Sequence, residues 1–412
     1  MKNKFLQEMK DRGYLNQCTD LDNLSKICDK QPISGYIGFD CTASSLHVGS
    51  LLQIMMLKLM QKHGHQPIVL LGGGTTLIGD PSGKDTTRKI LKQNQIKKNI
   101  DSIKKVFNKI LDTKNKKTAP IFVNNANWLT KLNYIQFLRD IGCHFTINKM
   151  LTYDSVKLRL EREQSLSYME FNYMILQAYD FYQLFKKNNC ILQIGGSDQW
   201  GNIINGVDLI RRILQKEAFG LTSPLITLAS GAKMGKTEEG AIWLNEDQLS
   251  SYDYWQFWRN TDDRDVKRFL NFFTEIDLKE VNEICNKEKD INKLKILLAN
   301  EATRILHGET AAKKAEKTAK DTFVKGGLGS DLPEIKVKLN EIKKGLSFLD
   351  FIADNKILSS KGEARRAIAN KGFKINDKII EDDKKIFQIS DFKKNILKLS
   401  YGKKKHYLIK II

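Results

Sequence analysis

Three short stretches of this sequence carry residue types that handle phosphate. His47-Val48-Gly49-Ser50 comes first and Lys233-Met234-Gly235-Lys236-Thr237 last, with Gly195-Gly196-Ser197-Asp198-Gln199-Trp200-Gly201-Asn202 between them. His47 follows a predicted strand and opens a predicted helix. A helix N-terminus offers free N–H groups and a partial positive charge, which suits phosphate. Thr42 and His47 add side-chain donors at that point. Read alone, the same cluster serves as a polar helix cap. Lys233 and Lys236 flank Gly235, and Gly231 precedes them. Such a loop can close ammonium groups over a developing pyrophosphate. In a lysine-rich chain the same pattern also makes an ordinary solvated turn.

A second constellation lies on one predicted helix. Tyr173, Gln177 and Asp180 are spaced i, i+4 and i+7, which puts them on one face. An aromatic ring, an amide and a carboxylate on one face suit a wall that binds a small polar molecule. The alternative is a helix edge with one aromatic in the core.

Stock motifs fail on inspection. A P-loop needs Gly where Ile78 stands and Ser or Thr where Asp85 follows Lys84. A dinucleotide fingerprint starting at Gly72 needs Gly where Leu77 stands. Gly72-Gly73-Gly74 therefore reads as a tight strand-to-helix turn. No Ser/His/Asp or Cys/His arrangement is present. The 6 cysteines are scattered without a C-x-x-C pair, and the 6 histidines show no metal spacing. His63 and His65 read as surface residues near a helix end.

The elements that must position these residues alternate strand and helix. Residues 33–40, 67–71, 121–123 and 190–194 read as strands, and 48–63 and 86–111 as helices. That alternation predicts an α/β fold with a parallel sheet and right-handed crossovers. From Tyr252 to Lys320 no strand pattern occurs. Gly326-Gly327-Leu328-Gly329-Ser330 followed by Pro333 reads as a linker, and the remainder as helices followed by short strands. The expected boundaries are a sheet domain at 1–225, a mobile loop and linker at 226–245, a helical domain at 246–325, a linker at 326–345 and a small α+β domain at 346–412.

The chain has 412 residues, 41% of them hydrophobic, and a formal charge of +20. Residues 331–412 carry 20 Lys and Arg against 11 Asp and Glu. That density suits a polyanion such as RNA, while Lys, Ile and Asn are abundant throughout, so compositional drift explains part of the total. No apolar run approaches the roughly 20 residues of a membrane helix, and the first residues lack the apolar core of a secretory signal. A cytoplasmic protein with no membrane partner is expected.

Together these segments resemble the class I aminoacyl-tRNA synthetases, and within them the bacterial-type tyrosyl-tRNA synthetases. His47 to Ser50 is similar to the family's HIGH signature and Lys233 to Thr237 to its KMSKS signature. Tyr36-Ile37-Gly38-Phe39-Asp40, Ile78 to Lys84, Tyr173 to Asp180 and Gly195 to Asn202 resemble tyrosyl-specific segments. Ser360 to Arg366 is similar to the RNA-binding module of ribosomal small-subunit protein four. Three positions depart from the pattern: Cys41 stands where many relatives have Pro, Ser50 replaces the last His of HIGH, and Gly235 replaces the Ser of KMSKS.

The resemblance implies a Rossmann-like catalytic domain, a helical anticodon-binding domain and a small α+β RNA-binding domain. It implies that tyrosine and ATP give tyrosyl-adenylate and pyrophosphate, and that tyrosine then passes to the 3′ end of tRNA(Tyr). Thr42, His47, Lys84, Arg88, Lys233, Lys236 and Thr237 would serve catalysis around the phosphates. Gly38, Asp40, His47, Ser50, Gly196, Asp198 and Lys236 would bind ATP, with Asp198 on the ribose hydroxyls. Tyr36 and Asp180 would meet the phenol hydroxyl, Asp80, Tyr173 and Gln177 the ammonium group, and Gln199 would lie near the carboxylate. A site that hydrogen-bonds a hydroxyl rejects the analogue lacking it, tyrosyl enzymes being the standard instance. ATP is expected as a substrate with Mg2+ as its counter-ion, without a protein-bound metal. A homodimer is expected, formed in part by the region that connects the halves of the sheet. Lys361, Arg365 and Arg366 would touch RNA phosphates. Trp255 and Trp258 either stack on bases or belong to a core. A tryptophanyl-type synthetase and a non-catalytic RNA-binding relative are the competing readings. A simpler nucleotidylyltransferase would have no use for the RNA modules.

Overall fold

Short apolar runs become the strands of a six-stranded sheet. These are β1 (Gln17–Cys18), β2 (Ser34–Phe39), β3 (Gln66–Leu71), β4 (Ile121–Asn124), β5 (Cys190–Gly196) and β6 (Phe219–Ser223), in the order β1-β6-β5-β2-β3-β4. All neighbours run parallel except β1, which pairs antiparallel with β6 at one edge. Strands covered on both faces read as continuous apolar runs; five of the six residues of β3 are buried. The computed structural model describes residues 3–81, 91–231, 234–237, 240–324, 332–393, 395–402 and 405–412.

The sheet order places the site. From β2 the chain builds outward through β3 and β4, then returns to lay β5 against the other side of β2. In an open parallel sheet, a crevice forms at the carboxyl ends of two strands where the order reverses. Here those strands are β2 and β5. The helix Leu51–Lys62 follows β2 and has 8 of its 12 residues buried, so it is core rather than amphipathic surface. The predicted helix at 48–63 is found, with Val48–Ser50 as a 3-10 turn before the α-helix. The helix expected to start at Thr86 runs Gln93–Ile110. Leu91 and Lys92 precede it without helical structure, and Thr86–Ile90 lie outside the described residues. Its apolar stripe begins only at Ile96, which leaves the preceding residues no face to bury.

Two compact units divide the chain. The first comprises residues 1–235, 243–245 and 262–289, and the second 236–242, 246–261 and 290–412. Residues 262–289 join the first unit through Arg12, which is 4% exposed. Its guanidinium donates to the carbonyls of Asn271 (2.9 Å), Thr274 (3.2 Å) and Ile276 (3.0 Å), and to Glu8 (2.8 Å). Tyr14 donates to the Phe272 carbonyl at 2.7 Å. His65, expected at the surface, is buried: its Nδ1 accepts from the Ile33 N–H at 3.2 Å. Burial holds its pKa down at about 4, so the ring is neutral near pH 7.

In the second unit the helices Ser251–Arg259, Ile291–His307 and Glu309–Val324 pack together. Trp255 and Trp258 are core here, at 2% and 0% exposed, and Trp255 Nε1 donates to Asn300 Oδ1 at 2.7 Å. Neither indole is available to stack on a base. A short hairpin pairs β7 (Lys236–Thr237) with β8 (Gly240–Ala241). A five-stranded sheet contains β9 (Glu334–Val337), β10 (Phe373–Ile375), β11 (Lys378–Ile379), β12 (Ile396–Tyr401) and β13 (Lys405–Ile411), in the order β11-β10-β12-β13-β9. Within the stretch expected as linker, residues 334–337 thus form a strand, paired parallel to β13. Phe348, Phe351, Phe373, Phe387, Leu397 and Leu399 fill the core beneath this sheet.

Replacing Arg12 by Met removes donors from three backbone carbonyls and a partner from Glu8. We expect Arg12→Met to lower unfolding free energy by about 3 kcal/mol, read as a lower urea midpoint at unchanged slope. A shift below about 0.5 kcal/mol would show that these bonds do not hold residues 271–276 in place.

Candidate active site

A cleft of about 320 Å³ opens where β2 and β5 end. Tyr36, Gly38 and Asp40 come from β2 and the residue after it. Gln193, Gly195 and Gly196 come from β5, and Asp198 and Gln199 from the turn that follows. The helix Tyr173–Asn188 presents Tyr173, Gln177 and Asp180 to the cleft together, as their spacing predicted. Ser50 and Asp80 complete the expected lining.

One end of the cleft is buried and polar. Asp180 is 1% exposed. Its Oδ2 accepts from Asn125 Nδ2 at 2.8 Å and its Oδ1 from Trp128 Nε1 at 2.7 Å. Burial pushes its pKa up to about 7, against the lowering pull of those two bonds. The Tyr36 hydroxyl is buried nearby without a hydrogen-bond partner. Burial, then the charge of Asp180, raises its pKa well above the ordinary phenol value. The amide oxygens of Gln193 and Gln53, both in the lining, are also shut from water and unpartnered. Orphaned buried polar atoms are rare because each costs about 1–3 kcal/mol. Several of them around one cavity point to a ligand with matching polar groups.

The middle of the cleft gathers acceptors. Asp80 Oδ2 accepts from Gln199 Nε2 at 2.8 Å. Asn202 Nδ2 donates to Gln177 Oε1 at 3.2 Å and to Gln199 Oε1 at 3.1 Å. Tyr173 donates to Asp40 Oδ2 at 3.3 Å. Carboxylates and amide oxygens gathered in this way suit a bound cation such as an ammonium group. Gly196 leaves room for the Asp198 carboxylate, which would stand 2.6 Å from an added Cβ.

At the turn after β2, the His47 Nδ1 accepts from the Gly49 N–H at 3.0 Å. An accepting Nδ1 carries no proton, so a neutral ring bears its hydrogen on Nε2. Gly235 packs against this turn at φ +99°, and an added Cβ there would stand 2.7 Å from His47 Nδ1 and 2.9 Å from the Gly49 nitrogen. A serine at 235 would therefore be strained both by backbone and by space. The segment Trp243–Asn245 pins the same turn: Leu244 N–H donates to the Leu46 carbonyl at 2.9 Å and Asn245 N–H to Ser45 Oγ at 3.0 Å. His47 and Thr42 are not part of the cleft lining. Lys84, Arg88 and Lys233 lie outside the described residues, and only the backbone of Lys236 and Thr237 is described, in β7.

Lys361, Arg365 and Arg366 are exposed on the helix Lys361–Ala369. Lys361 pairs with Asp350 at 2.7 Å and Arg365 with Asp383 at 3.3 Å, both in the open. Asn125, Trp128, Thr75, Gln193 and Gln53 belong to the site although no local pattern marks them in the sequence. Among the described residues no group of three or more His, Cys, Asp or Glu side chains is placed to hold a metal ion. Nor is any described helix long and apolar enough to cross a membrane.

Comparison with known proteins gives the same direction throughout. Residues 29–324 match the family described as tRNA synthetases class I (W and Y), and residues 324–409 match the tyrosine–tRNA ligase SYY-like C-terminal domain. The chain is 62% identical over 410 residues to a tyrosine–tRNA ligase of Pelagibacter ubique, covering 100% of both chains. It is 52% identical over 411 residues to that of Rickettsia massiliae, covering 99% of this chain and 100% of the relative. A crystal structure of a C-terminally truncated mitochondrial tyrosyl-tRNA synthetase from Aspergillus nidulans aligns with a TM-score of 0.70 at 30% identity, over 78% of this chain and 95% of that one.

Asp180 binds its proton more tightly folded than unfolded, because its pKa of about 7 stands above the ordinary aspartate value of 3.8. The folded state therefore holds more protons between those values, and stability falls as pH rises through that window. Asp180→Asn removes the titration. Its stability relative to the natural protein should rise by up to about 1.4 kcal/mol per pH unit between pH 4.5 and 7 and level off above. A difference independent of pH, measured by urea unfolding, would contradict the assigned burial of the charge.

Proposed function

Because the chain belongs to the tyrosine–tRNA ligases of the class I tRNA synthetases, we propose that the cleft between β2 and β5 is where its two substrates meet, and we assign its residues to them. The family's reaction has two steps. The tyrosine carboxylate attacks the α-phosphate of ATP and pyrophosphate leaves; the terminal ribose hydroxyl of tRNA then attacks the mixed anhydride. Both nucleophiles are adequate once placed, so positioning and charge stabilisation supply most of the acceleration. The absence of a nucleophile–base pair in the sequence agrees with that.

The observation that carries the assignment is the buried end of the cleft. Asp180, held by two fixed donors, stands close enough to the unpartnered Tyr36 hydroxyl to raise its pKa. A phenol hydroxyl can donate to Asp180 and accept from Tyr36; a phenylalanine ring would leave the Tyr36 hydroxyl unpaired and give Asp180 no further donor. Asp80, Tyr173 and Gln177 then take the ammonium group and Gln199 lies near the carboxylate. Gly38, Asp40, Ser50, Gly196 and Asp198 take the nucleotide, Asp198 through the ribose hydroxyls. Around the phosphates we place Thr42, His47, Lys84, Arg88, Lys233, Lys236 and Thr237. His47 would donate from Nε2, the nitrogen its cap leaves protonated. Mg2+ would arrive as the counter-ion of ATP.

The helical segment 246–325 would approach the anticodon region, and Lys361, Arg365 and Arg366 the phosphates of tRNA(Tyr). The exposed carboxylate partners of Lys361 and Arg365 hold them weakly, so phosphate can displace those partners. We further propose a cytoplasmic homodimer. Large exposed apolar side chains concentrate between residues 134 and 168, among them Ile135 at 71%, Tyr168 at 65% and Ile147 at 64%. A concentration of this kind marks an interaction surface, and a closed two-fold pair is the commonest way to cover it.

Pyrophosphate exchange across the twenty amino acids tests the assignment. Exchange should depend on tyrosine, and exchange with tryptophan alone would refute it. Asp180→Ala should raise the KM for tyrosine on the order of 10²-fold. Lys236→Ala should slow adenylate formation on the order of 10²-fold with tyrosine affinity little changed. Equal losses in both parameters for both variants would discredit the division of roles. In solution the chain should sediment at twice its 47.3 kDa mass, and Ile135→Glu should shift it toward monomer; a natural protein sedimenting as monomer would refute the dimer.

A further inference from the structure

An unbroken chain of side-chain hydrogen bonds runs from the buried end of the cleft to its middle. Asn125 Nδ2 donates one proton to Asp180 Oδ2 at 2.8 Å and the other to Thr75 Oγ1 at 3.0 Å. The Thr75 hydroxyl donates in turn to Asp40 Oδ1 at 2.9 Å. Asn125 and Thr75 are 1% and 3% exposed. Both line the cleft, at the carboxyl ends of the neighbouring strands β4 and β3.

The chain has one direction. Asn125 Oδ1 accepts from the Gly74 N–H at 2.7 Å, so the amide cannot turn over without losing three bonds. That fixes Nδ2 as the donor on both sides. Thr75 receives one of those protons, and its own single proton then points to Asp40. Carboxylates accept at both ends, which is the arrangement that satisfies every member.

We propose that Asn125 and Thr75 are positioning residues that tie the carboxylate of Asp40, assigned above to the nucleotide, to that of Asp180, at the phenol end. Occupation of the tyrosine pocket thereby sets the orientation in which Asp40 meets ATP. This rests on the assignment of the two ends to tyrosine and nucleotide given above. A residue's place along the chain then dictates which substrate its loss affects. Of the two carboxylates Thr75 bonds only that of Asp40, whereas Asn125 bonds that of Asp180 and reaches Asp40 through Thr75.

Tyrosine-dependent pyrophosphate exchange reads the difference. Thr75→Val keeps shape and removes the hydroxyl; the KM for ATP should rise about tenfold while that for tyrosine stays within about twofold. Asn125→Ala should raise both by about tenfold or more. Thr75→Ser restores the hydroxyl and should behave as the natural protein. Should Thr75→Val fail to fold, Thr75→Ala decides by the same split. Equal changes in both KM values for the Thr75 variant, no change in either, or a Thr75→Ser as impaired as Thr75→Val would overturn the proposal. Failure of the natural protein to exchange with tyrosine would instead sink the substrate assignment beneath it.

Discussion

A carboxylate withdrawn from water dictates how this cleft is built. Asp180 sits on a helix whose neighbouring residues are apolar, and an isolated charge there would be intolerable. Two elements distant in sequence supply its donors: Asn125 at the end of β4 and Trp128 in the short helix beyond it. The donors lower its pKa and burial raises it, and burial wins, leaving the group near pH 7 rather than near pH 4. A carboxyl poised this way costs stability unless a further hydrogen-bond partner reaches it. Such a trade is expected where function and folding compete for the same residue.

The backbone around that carboxylate is shaped for close approach. Gly72 follows β3, where an added Cβ would stand 2.5 Å from Asp40 Oδ1 and 2.6 Å from Thr75 Oγ1. The glycine run that invites a phosphate-loop reading thus makes room for side chains that meet one another. The reversal of strand order between β2 and β5 does the rest. It opens the one place in the sheet where two strand ends diverge, and the apolar helix Leu51–Lys62 starts from there.

Much of this was legible in the sequence for a physical reason. Parallel strands and a buried helix write themselves as uninterrupted apolar runs, so the sheet and the helix after β2 were readable. Tyr173, Gln177 and Asp180 share a helical face, and helical spacing survives without tertiary knowledge. Asn125, Thr75 and Trp128 carry no such signal. Each is an ordinary polar or aromatic residue at the end of a different element, and only the pairing of β3 with β4 brings them to Asp180. His65 misled because two histidines near a helix end look solvated, while the Ile33 amide that needs a buried acceptor is 32 residues away. The strand at 334–337 hid inside a polar, lysine-rich stretch because its partner β13 lies at the far end of the chain. The antiparallel edge strand β1, two residues long, is below what periodicity can register.

Gly235 has a bearing on heredity. Every single-base change of a glycine codon that specifies a different amino acid adds a side chain, and at this position its Cβ would meet His47 and Gly49 while their turn keeps its present path. The serine of the common signature is therefore strained here unless the turn shifts. A side chain at this position would require the two loops to move together, which ties residues 47, 49 and 235 sterically although nearly two hundred positions separate them.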